Sequence, residues 1–332
     1  MDYYGTIGPA CASEEVLEEM FREGMTGIRM NLSHGNLCDH EDWIEMIHQA
    51  AKTCEVQPRL LIDLQGPELR IGKLDAPVEL TEGSEVMIGK GLITIPEVLY
   101  ECVVPGSELL LDDGKILVRV TENYGDSLLC EVLRGGFLSS GKSIAAPGCA
   151  IHIPTLTEDD LKNIEEAKNY GVTGVMLPFV RGAEDLVTLK EALINAEAET
   201  IEIFAKLENR RGIAALPELL GHADSYVIAR GDLGNDMPLW ELPQVQKEAA
   251  SFLREHGCSF MIVTQMLDSM HDRAVPTRAE VCDIFNAVLD GADSIMLTGE
   301  TAAGRYPVES MKYLVKTGEK ALAFRGESDT IY

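Results

Sequence analysis

A lysine and two carboxylates lie near the ends of short aliphatic runs. Lys206 and Glu208 are separated by one residue in FAKLEN, and Asp232 follows a second run in IARGDLG. Alternate residues of a strand face the same side, so Lys206 and Glu208 are expected to point together. A cation beside a carboxylate suits an anion and a metal bound together, with Asp232 as a second oxygen ligand. Two carboxylates suit Mg²⁺, whose coordination is completed by substrate oxygens and water.

Other predicted strand ends also carry charged or hydroxyl groups, in IRMNLSHG, IDLQGPELR, VTQML and MLTGE. Each has a structural explanation when taken singly. Lys206 with Glu208 can be an ion pair, Arg29 and Arg70 can form salt bridges, and His34 can cap a loop. Six such ends on one face of a fold favour a functional site over six separate coincidences. The glycines beside Asp232 would expose backbone amides to a carboxylate or phosphate.

Alternating aliphatic runs and amphipathic segments predict βαβ units and a parallel sheet. Ser13, Thr157 and Thr277 are expected to cap three of the helices, Ser13 with a glutamate at the third position of its segment, and each helix is expected to end at a glycine. Eight alternations are the count of a closed (β/α)8 TIM barrel, an α/β fold with its site at the carboxyl ends of the strands. The predicted strands are Tyr3–Ile7, Gly27–Leu32, Arg59–Leu64, Gly174–Leu177, Ile201–Leu207, Ser225–Ala229, Phe260–Thr264 and Ser294–Leu297.

The alternation breaks once, after the third predicted strand. Short β-type runs separated by Gly, Asp and Asn, such as VELTEGSEVMIG and SLLCEVLRGG, predict a small all-β domain. We therefore divide the chain into a first barrel part (1–72), an inserted β domain (73–146) and a second barrel part (147–332). An insertion at that point can act as a lid over the site.

Composition excludes several classes of protein. The net charge of −27 would repel nucleic acid and anionic membranes, so a phosphate site must be a local basic pocket. The eight cysteines form no CxxC pair, which favours buried, reduced thiols over disulfides or zinc. The sequence contains no membrane span and no signal peptide, and a cytoplasmic protein is expected.

Several ordered motifs resemble those of the pyruvate kinase family. They are TIGPA, GIRMNLSHG, LQGPELR, AKLEN, ARGDLG and the block from VTQMLDSM through PTRAEVCDIFNAVLDGADSIMLTGETAAGRYPVE. The similarity extends from Gly5 to about Ala323 and is weaker over the insertion. The resemblance implies transfer of a phosphoryl group from phosphoenolpyruvate to ADP, giving pyruvate and ATP in glycolysis.

The resemblance also implies roles for individual residues. Glu208 and Asp232 would hold Mg²⁺ or Mn²⁺, while Lys206 and Arg29 would contact the transferred phosphoryl group. The amides of Gly231 and Asp232 would bind the substrate carboxylate. Thr264 would lie near the carbon that is protonated when the enolate becomes pyruvate.

A second set of residues matches the family's monovalent-cation and nucleotide sites. Asn31, Ser33, Asp63 and the carbonyl of Leu64 would hold K⁺, and Glu68 matches the form of the family that requires K⁺. Asn31, His34 and Arg70 would face ADP or ATP, which carries a second Mg²⁺. Asp113, in the insertion, would approach the site when the lid closes.

The chain departs from the family pattern at several points. It stops at Tyr332, before the usual effector domain, so allosteric control by that route is expected to be absent. The insertion is short, and Gln65 replaces a lysine that the family commonly has before GPE, which predicts weaker nucleotide binding or an altered acceptor. The PTRAE segment with Arg278 resembles the family's barrel-to-barrel contact and is compatible with a homodimer or larger homo-oligomer.

Two other functions fit part of the pattern. One is a Mg²⁺-dependent lyase or aldolase that forms a pyruvate enolate, which would also need Glu208, Asp232 and an arginine. The other is a non-catalytic protein that binds phosphoenolpyruvate and has a regulatory role. Lys206 and the K⁺ ligands argue against the aldolase, and the complete set of phosphate and metal residues argues against a non-catalytic role.

Overall fold

The computed structural model describes residues 1–66, 69–89, 91, 93–112, 114–149 and 153–329, with the backbone alone for His34 and residues 327–329. Two predicted site residues, Glu68 and Asp113, therefore lie outside the described residues, as does the side chain of His34. The chain divides into two compact units, residues 1–66 with 155–332, and residues 67–154.

The larger unit is a closed barrel of eight parallel strands, as predicted. Neighbouring strands follow chain order, and the barrel closes where the first strand pairs with both the second and the eighth. Aliphatic runs bounded by glycine or polar residues form strands that are within a residue or so of the predicted bounds. The strands are β1 Asp2–Thr6, β2 Gly27–Asn31, β3 Arg59–Asp63, β4 Gly174–Leu177, β5 Glu202–Leu207, β6 Ser225–Ala229, β7 Ser259–Val263 and β8 Ser294–Met296.

Helices surround the barrel or follow the carboxyl ends of its strands. They are Glu14–Arg22, Glu41–Thr53, Glu158–Ala167, Ala183–Asn195, Arg210–Ala214, Leu216–Leu219, Arg230–Asn235, Leu242–Glu255, Arg278–Leu289, Gly299–Ala302 and Pro307–Asp329, with 3₁₀ turns at Leu32–His34, Leu37–His40 and Asp268–His271. Within the described residues, no helix is long and apolar enough to cross a membrane.

The three predicted helix caps are confirmed, with one correction. The side chains of Thr157 and Thr277 each take part in a reciprocal capping box, with Asp160 and Glu280. The side chain of Ser13 accepts a hydrogen bond from the backbone of Val16, but no carboxylate returns the bond. The expected glutamate does not contribute because Val16, not a glutamate, occupies the N3 position.

Two layers of apolar side chains stabilise the barrel. One lies between the strands and the helices, and the other fills the barrel interior. The interior layer comprises Tyr4, Leu61, Met176, Phe204, Val227, Ala229, Met261, Val263 and Met296. Because these side chains close the barrel, charged side chains farther along the same strands lie at its carboxyl end.

The smaller unit, between β3 and β4, consists mainly of antiparallel strands. A five-stranded sheet has the order Ile144–Ala145, Glu108–Leu111, Ile116–Asn123, Ser127–Arg134 and Glu85–Gly89, and Val78–Leu80 pairs with Gly136–Leu138. One short helix, Val98–Cys102, was not predicted. The unit is wider than the predicted 73–146 because Ile71 packs in its core and Arg70 bridges to Ser143.

All eight cysteines are free, as predicted. Cys11 and Cys130 are buried, and burial raises the pKa of Cys11 to about 11 and that of Cys130 to about 12. The expectation of burial is wrong for Cys38 and Cys282, which are exposed on the outer faces of helical segments.

Candidate active site

Three strands bring two cations and two carboxylates together at the carboxyl end of the barrel. Asp63, the last residue of β3, accepts hydrogen bonds from Arg29 of β2, at 3.0 Å from Nε and 2.6 Å from Nη2. Lys206 Nζ of β5 lies 3.1 and 3.0 Å from the two Asp63 oxygens and 2.9 Å from Glu208 Oε1. The four side chains, which we call the charged cluster, carry no net charge together.

Barrel register explains why these side chains meet. Arg29 pairs with Leu61 and Asn31 with Asp63 across β2 and β3, and Met176 of β4 pairs with Asp63. Residues two apart on a strand share a face, so Asp63 and Lys206 lie one step beyond Leu61 and Phe204 of the apolar layer, and Arg29 reaches Asp63 from the position beside Leu61. No local feature could bring Asp63 and Lys206 together, because they are 143 positions apart in the sequence.

Burial makes the electrostatics of the cluster strong. The side chains of Asp63 and Glu208 are 2% exposed, and those of Arg29 and Lys206 are 12% exposed. Burial alone would raise the pKa of Asp63, but Lys206 and Arg29 outweigh it and lower that pKa below its ordinary value. Burial would likewise lower the pKa of Lys206, but Asp63 and Glu208 raise it. Asp63 and Lys206 are therefore both charged at neutral pH.

A backbone amide fixes the carboxylate of Glu208. Phe179 N, just after β4, donates to Glu208 Oε2 at 2.8 Å, and Phe179 has a positive φ of 53°. The two oxygens thus have different neighbours, an amide and an ammonium group. Sequence reasoning missed Phe179, because its role depends on backbone conformation and no side-chain motif marks it.

Asp232 lies in the short helix Arg230–Asn235 that directly follows β6. The helix begins within the ARGDLG motif, so Gly231 and Asp232 belong to its first turn, where amides lack intrahelical acceptors. Carboxylates of the type offered by Glu208 and Asp232 are hard oxygen ligands that fit Mg²⁺ or Mn²⁺. Among the described residues, no group of three or more His, Cys, Asp or Glu side chains could hold a metal ion by itself.

Thr264 follows β7 and lies against Gly231. A Cβ atom at Gly231 would be 3.0 Å from Thr264 Cγ2, a tight contact that would need a small shift of the threonine. Thr264 has a φ of 80°, which is rare for a β-branched residue, and Gln265 also has a positive φ of 55°. The backbone after β7 is thus held in an unusual conformation beside the residues that follow β6.

The predicted K⁺ ligands make hydrogen bonds within the protein. Asn31 Oδ1 accepts a hydrogen bond from Ser33 N at 3.2 Å, and Leu64 N donates to Met176 O at 3.1 Å. Asp63 uses both its oxygens for Arg29 and Lys206. Sequence reasoning did not predict this role of Asp63 as the common acceptor for two cations.

Arg70 and Arg278 belong to elements other than the strands that carry the charged cluster. Arg70 belongs to the smaller unit, where its Nη1 donates to Gly141 O at 2.8 Å. Arg278 is exposed at the start of the helix Arg278–Leu289. The nucleotide role of Arg70 and the homo-oligomer suggested by Arg278 stay predictions.

Sequence reasoning also missed two buried acids that organise the neighbouring loops. Asp160 accepts from the amides of Gln65 at 2.8 Å and Gly66 at 3.0 Å, besides its cap contact with Thr157. Glu300 accepts from Leu267 N at 3.0 Å and Thr298 N at 2.8 Å, which ties the segments after β7 and β8 together. The capping box marked Asp160 as a helix residue, but its long-range contacts have no sequence signal.

Comparison with known proteins agrees with the barrel fold. The family model described as pyruvate kinase, barrel domain, matches residues 2–311. The chain belongs to the pyruvate kinase family. Relatives named pyruvate kinase include those of Corynebacterium efficiens, 37% identical over 95% of this chain and 69% of the relative, and Geobacillus stearothermophilus, 38% identical over 92% and 54%. That of Mycobacterium tuberculosis is 37% identical over 92% of this chain and 67% of the relative.

The pyruvate kinase match covers the barrel and the inserted unit together, since residues 2–311 include both. The chain spans between about half and about two thirds of the length of these relatives. The charged cluster and the segments after β6 and β7 all lie within the matched range.

Proposed function

We propose that this chain, a phosphotransferase of the pyruvate kinase family, transfers the phosphoryl group of phosphoenolpyruvate to ADP and yields pyruvate and ATP in glycolysis. The observation that carries the proposal is the charged cluster, in which Lys206 and Arg29 are held at one end of the barrel by Asp63 and Glu208. Two buried cations at fixed positions suit a multiply charged phosphate, whose binding the overall charge of −27 would otherwise oppose.

Lys206 is the group that we place against the phosphoryl group in transfer. A loose transition state spreads negative charge over the phosphoryl oxygens, and a fixed ammonium group stabilises that charge without reorganising. Asp63 and Glu208 hold Lys206 from two sides, so its position is set before substrate binds. Arg29 binds the same phosphate and is oriented by two hydrogen bonds to Asp63.

Glu208 and Asp232 are the proposed ligands of the Mg²⁺ or Mn²⁺ ion. When bound, this ion would neutralise charge on the enolate and phosphate oxygens. The charged cluster has no net charge, so a divalent cation would make the site positive and favour an anionic substrate. Phe179 N contributes by fixing one oxygen of Glu208 and leaving the other beside Lys206.

The remaining substrate contacts are assigned to the segments after β6 and β7. The amides of Gly231 and Asp232, in the first turn of a helix, would receive the substrate carboxylate. Thr264 packs against Gly231 and would therefore lie close to the carbon that gains a proton as the enolate becomes pyruvate. No covalent intermediate with the protein is required.

We also propose a K⁺ requirement and a nucleotide site. Asn31, Ser33, Asp63 and the carbonyl of Leu64 would bind K⁺, although K⁺ must share the oxygens of Asp63 with Arg29 and Lys206. Asn31, His34 and Arg70 would contact ADP or ATP. Potassium would add positive charge near the phosphates at the end of β2 and β3.

The deciding experiment measures pyruvate formation from phosphoenolpyruvate and ADP by the purified chain, with Mg²⁺, in K⁺ and in tetramethylammonium buffers. We expect turnover that needs both metal ions and falls about 100- to 1,000-fold in Lys206→Met, because a fixed transition-state charge is lost. The control is Lys162→Met, which removes an exposed lysine paired with Asp159 and should keep the activity. Absence of turnover in the unmodified chain would overturn the proposal, and activity without K⁺ would overturn the K⁺ site alone.

A further inference from the structure

The segment that follows β7 leaves the strand in a left-handed backbone conformation. Thr264 and Gln265 have φ angles of 80° and 55°. Neither residue is a glycine, and a β-branched residue adopts this region rarely, so surrounding groups must hold the segment there. Arg230, at the neighbouring strand end, contacts this segment.

Arg230 binds the carbonyl groups of this segment. Its Nε and Nη2 donate to Thr264 O at 3.1 and 2.8 Å, and Nη2 also donates to Gln265 O at 3.2 Å. A planar guanidinium with several fixed donors can grip two successive carbonyls in one orientation, which a lysine cannot do. Arg230 therefore holds two successive peptide groups, Thr264–Gln265 and Gln265–Met266.

The other side of the guanidinium is anchored to a helix. Arg230 Nη1 donates to Asp283 Oδ2 at 2.6 Å, and Asp283 lies in the helix Arg278–Leu289. The side chain of Arg230 is 11% exposed, and that of Asp283 is 35% exposed. The Arg230 guanidinium thus has a defined orientation. The carbonyls of Thr264 and Gln265 bind one side of it, and the Asp283 carboxylate binds the other.

Arg230 also directly precedes the proposed carboxylate-binding amides. Gly231 is the next residue, and Thr264 Cγ2 lies 3.0 Å from the position that a Cβ atom at Gly231 would take. Arg230 therefore links the carbonyl of Thr264, through its side chain, to the first turn of the helix Arg230–Asn235, to which its own backbone belongs. The distance between the Thr264 side chain and the amides of Gly231 and Asp232 therefore depends on the hydrogen bonds of Arg230 to Thr264 O and Gln265 O.

We propose that Arg230 is a positioning residue for enolate protonation, acting through Thr264. The inference rests on the proposed function and deepens it. In the step concerned, the electron pair of the enolate double bond forms a new C–H bond at the terminal carbon, and the oxygen becomes the ketone of pyruvate. The proton comes from the Thr264 hydroxyl or a water that it orders, and the solvent replaces it. Arg230 does not touch the reacting atoms but sets where the hydroxyl lies.

Proton exchange at pyruvate separates this role from phosphoryl transfer. The purified chain is incubated with pyruvate, Mg²⁺ and K⁺ in D₂O, and loss of the methyl proton signal is followed by NMR. Phosphoenolpyruvate affinity is measured by calorimetry on the same samples. The first variant is Arg230→Lys, which keeps the positive charge and loses the planar set of donors. The second is Asp283→Asn, which keeps an acceptor oxygen and loses the negative charge that anchors Arg230.

In Arg230→Lys we expect the exchange rate to fall about 100-fold, as a misplacement of reacting groups by about 1 Å does, with little change in phosphoenolpyruvate affinity. Asp283→Asn should also lower the exchange rate, by a smaller factor than Arg230→Lys. The control Arg254→Lys changes an exposed arginine whose Nη1 contacts Asp290 O, and it should exchange like the unmodified chain. Exchange at the normal rate in Arg230→Lys, or an equal loss of exchange and affinity, would overturn the inference.

A measurement without substrate keeps the inference testable if the proposed function fails. The protein is labelled at its threonine methyl groups for NMR. The methyl signal of Thr264 is assigned by its absence from the spectrum of Thr264→Ser. Arg230→Lys should shift or broaden that signal, and Arg254→Lys should leave it in place. An unchanged signal in Arg230→Lys would overturn the positioning role, whereas absence of exchange in the unmodified chain would overturn the proposed function alone.

Discussion

At the scale of single residues, Asp63 decides how the charged cluster works. It accepts from both Arg29 and Lys206, and it is nearly inaccessible to water. A buried carboxylate with two cationic partners stabilises their positions, since removing one partner would leave an uncompensated charge. Asp63 therefore orients Arg29 and Lys206, the two groups proposed to bind phosphate.

Gln65 provides a test of the nucleotide site at this scale. Gln65→Lys restores the charge that the family commonly has at this position, and we expect the KM for ADP to fall by at most about fivefold, since partly exposed charge pairs contribute ~0.2–1 kcal/mol. Steady-state kinetics would measure the change. Gln65→Met is the control, because it alters the side chain without adding charge, and an equal fall in both variants would contradict a charge effect.

Asp185 provides a test of pH dependence. Burial would raise its pKa, but hydrogen bonds from Arg181 and Thr155 outweigh burial and lower it. A carboxylate with a lowered folded-state pKa stabilises the protein above its unfolded pKa of about 3.9, and this contribution is lost as the pH falls through the folded pKa. We expect Asp185→Asn to destabilise the chain most at pH 7 and progressively less below about pH 4.

Urea unfolding at several pH values would measure this difference. The matched control is Asp272→Asn, at an exposed position. A destabilisation by Asp185→Asn that stays constant from pH 7 to the acid limit would show that the carboxylate charge is not its source.

At the scale of elements, the helix Glu158–Ala167 anchors the chain next to the point where it leaves the barrel. Asp160 in its first turn accepts from the amides of Gln65 and Gly66, which follow β3, and from Thr157. Gly66 has a positive φ of 58°, and a side chain there would clash with Pro178 after β4. The helix thus fixes the end of β3, where Asp63 and Leu64 are found.

Asp160→Asn should weaken this anchor. Asparagine has one acceptor oxygen for three amides, and each buried amide left without an acceptor costs about 1–3 kcal/mol. We expect a lower melting temperature and faster proteolytic cleavage near Gly66, measured by calorimetry and by mass spectrometry of the fragments. Asp159→Asn, at the exposed neighbouring position paired with Lys162, is the control. Equal effects of the two substitutions would contradict the anchoring role.

At the scale of the whole molecule, the two compact units have separate apolar cores. Residues such as Ile88, Leu109 and Val118 form the core of the smaller unit, and no residue of that cluster belongs to the barrel clusters. Separate cores permit one unit to lose structure while the other keeps it.

Leu109→Ala tests this independence. Leu109 is fully buried, so truncation should destabilise the smaller unit by about 2–5 kcal/mol. Hydrogen exchange followed by mass spectrometry should show faster exchange within residues 67–154 and unchanged exchange in the barrel strands. The reciprocal control is Leu193→Ala, buried beside the barrel, which should affect the barrel instead. Faster exchange throughout the chain in Leu109→Ala would indicate one cooperative unit.

The sequence by itself determined the barrel and the residue types at its mouth. Aliphatic runs such as Gly174–Leu177 and Ser225–Ala229 have the bounds that the structure gives them, because continuous burial on both faces leaves a clear apolar pattern. The caps at Thr157 and Thr277 were equally clear, because capping depends on residues close in the chain. The spacing of Lys206 and Glu208 correctly predicted that their side chains point together, at the end of β5.

Only the tertiary structure decided which groups meet. Closure of the barrel puts Asp63 between Arg29 and Lys206, although the sequence suggested only a K⁺ ligand there. The hydrogen bonds from Phe179 N to Glu208 and from Arg230 to Thr264 O depend on backbone angles that cannot be predicted from the residue types. Local interactions leave a pattern in the sequence, whereas contacts between strand ends arise from the register and closure of the whole sheet.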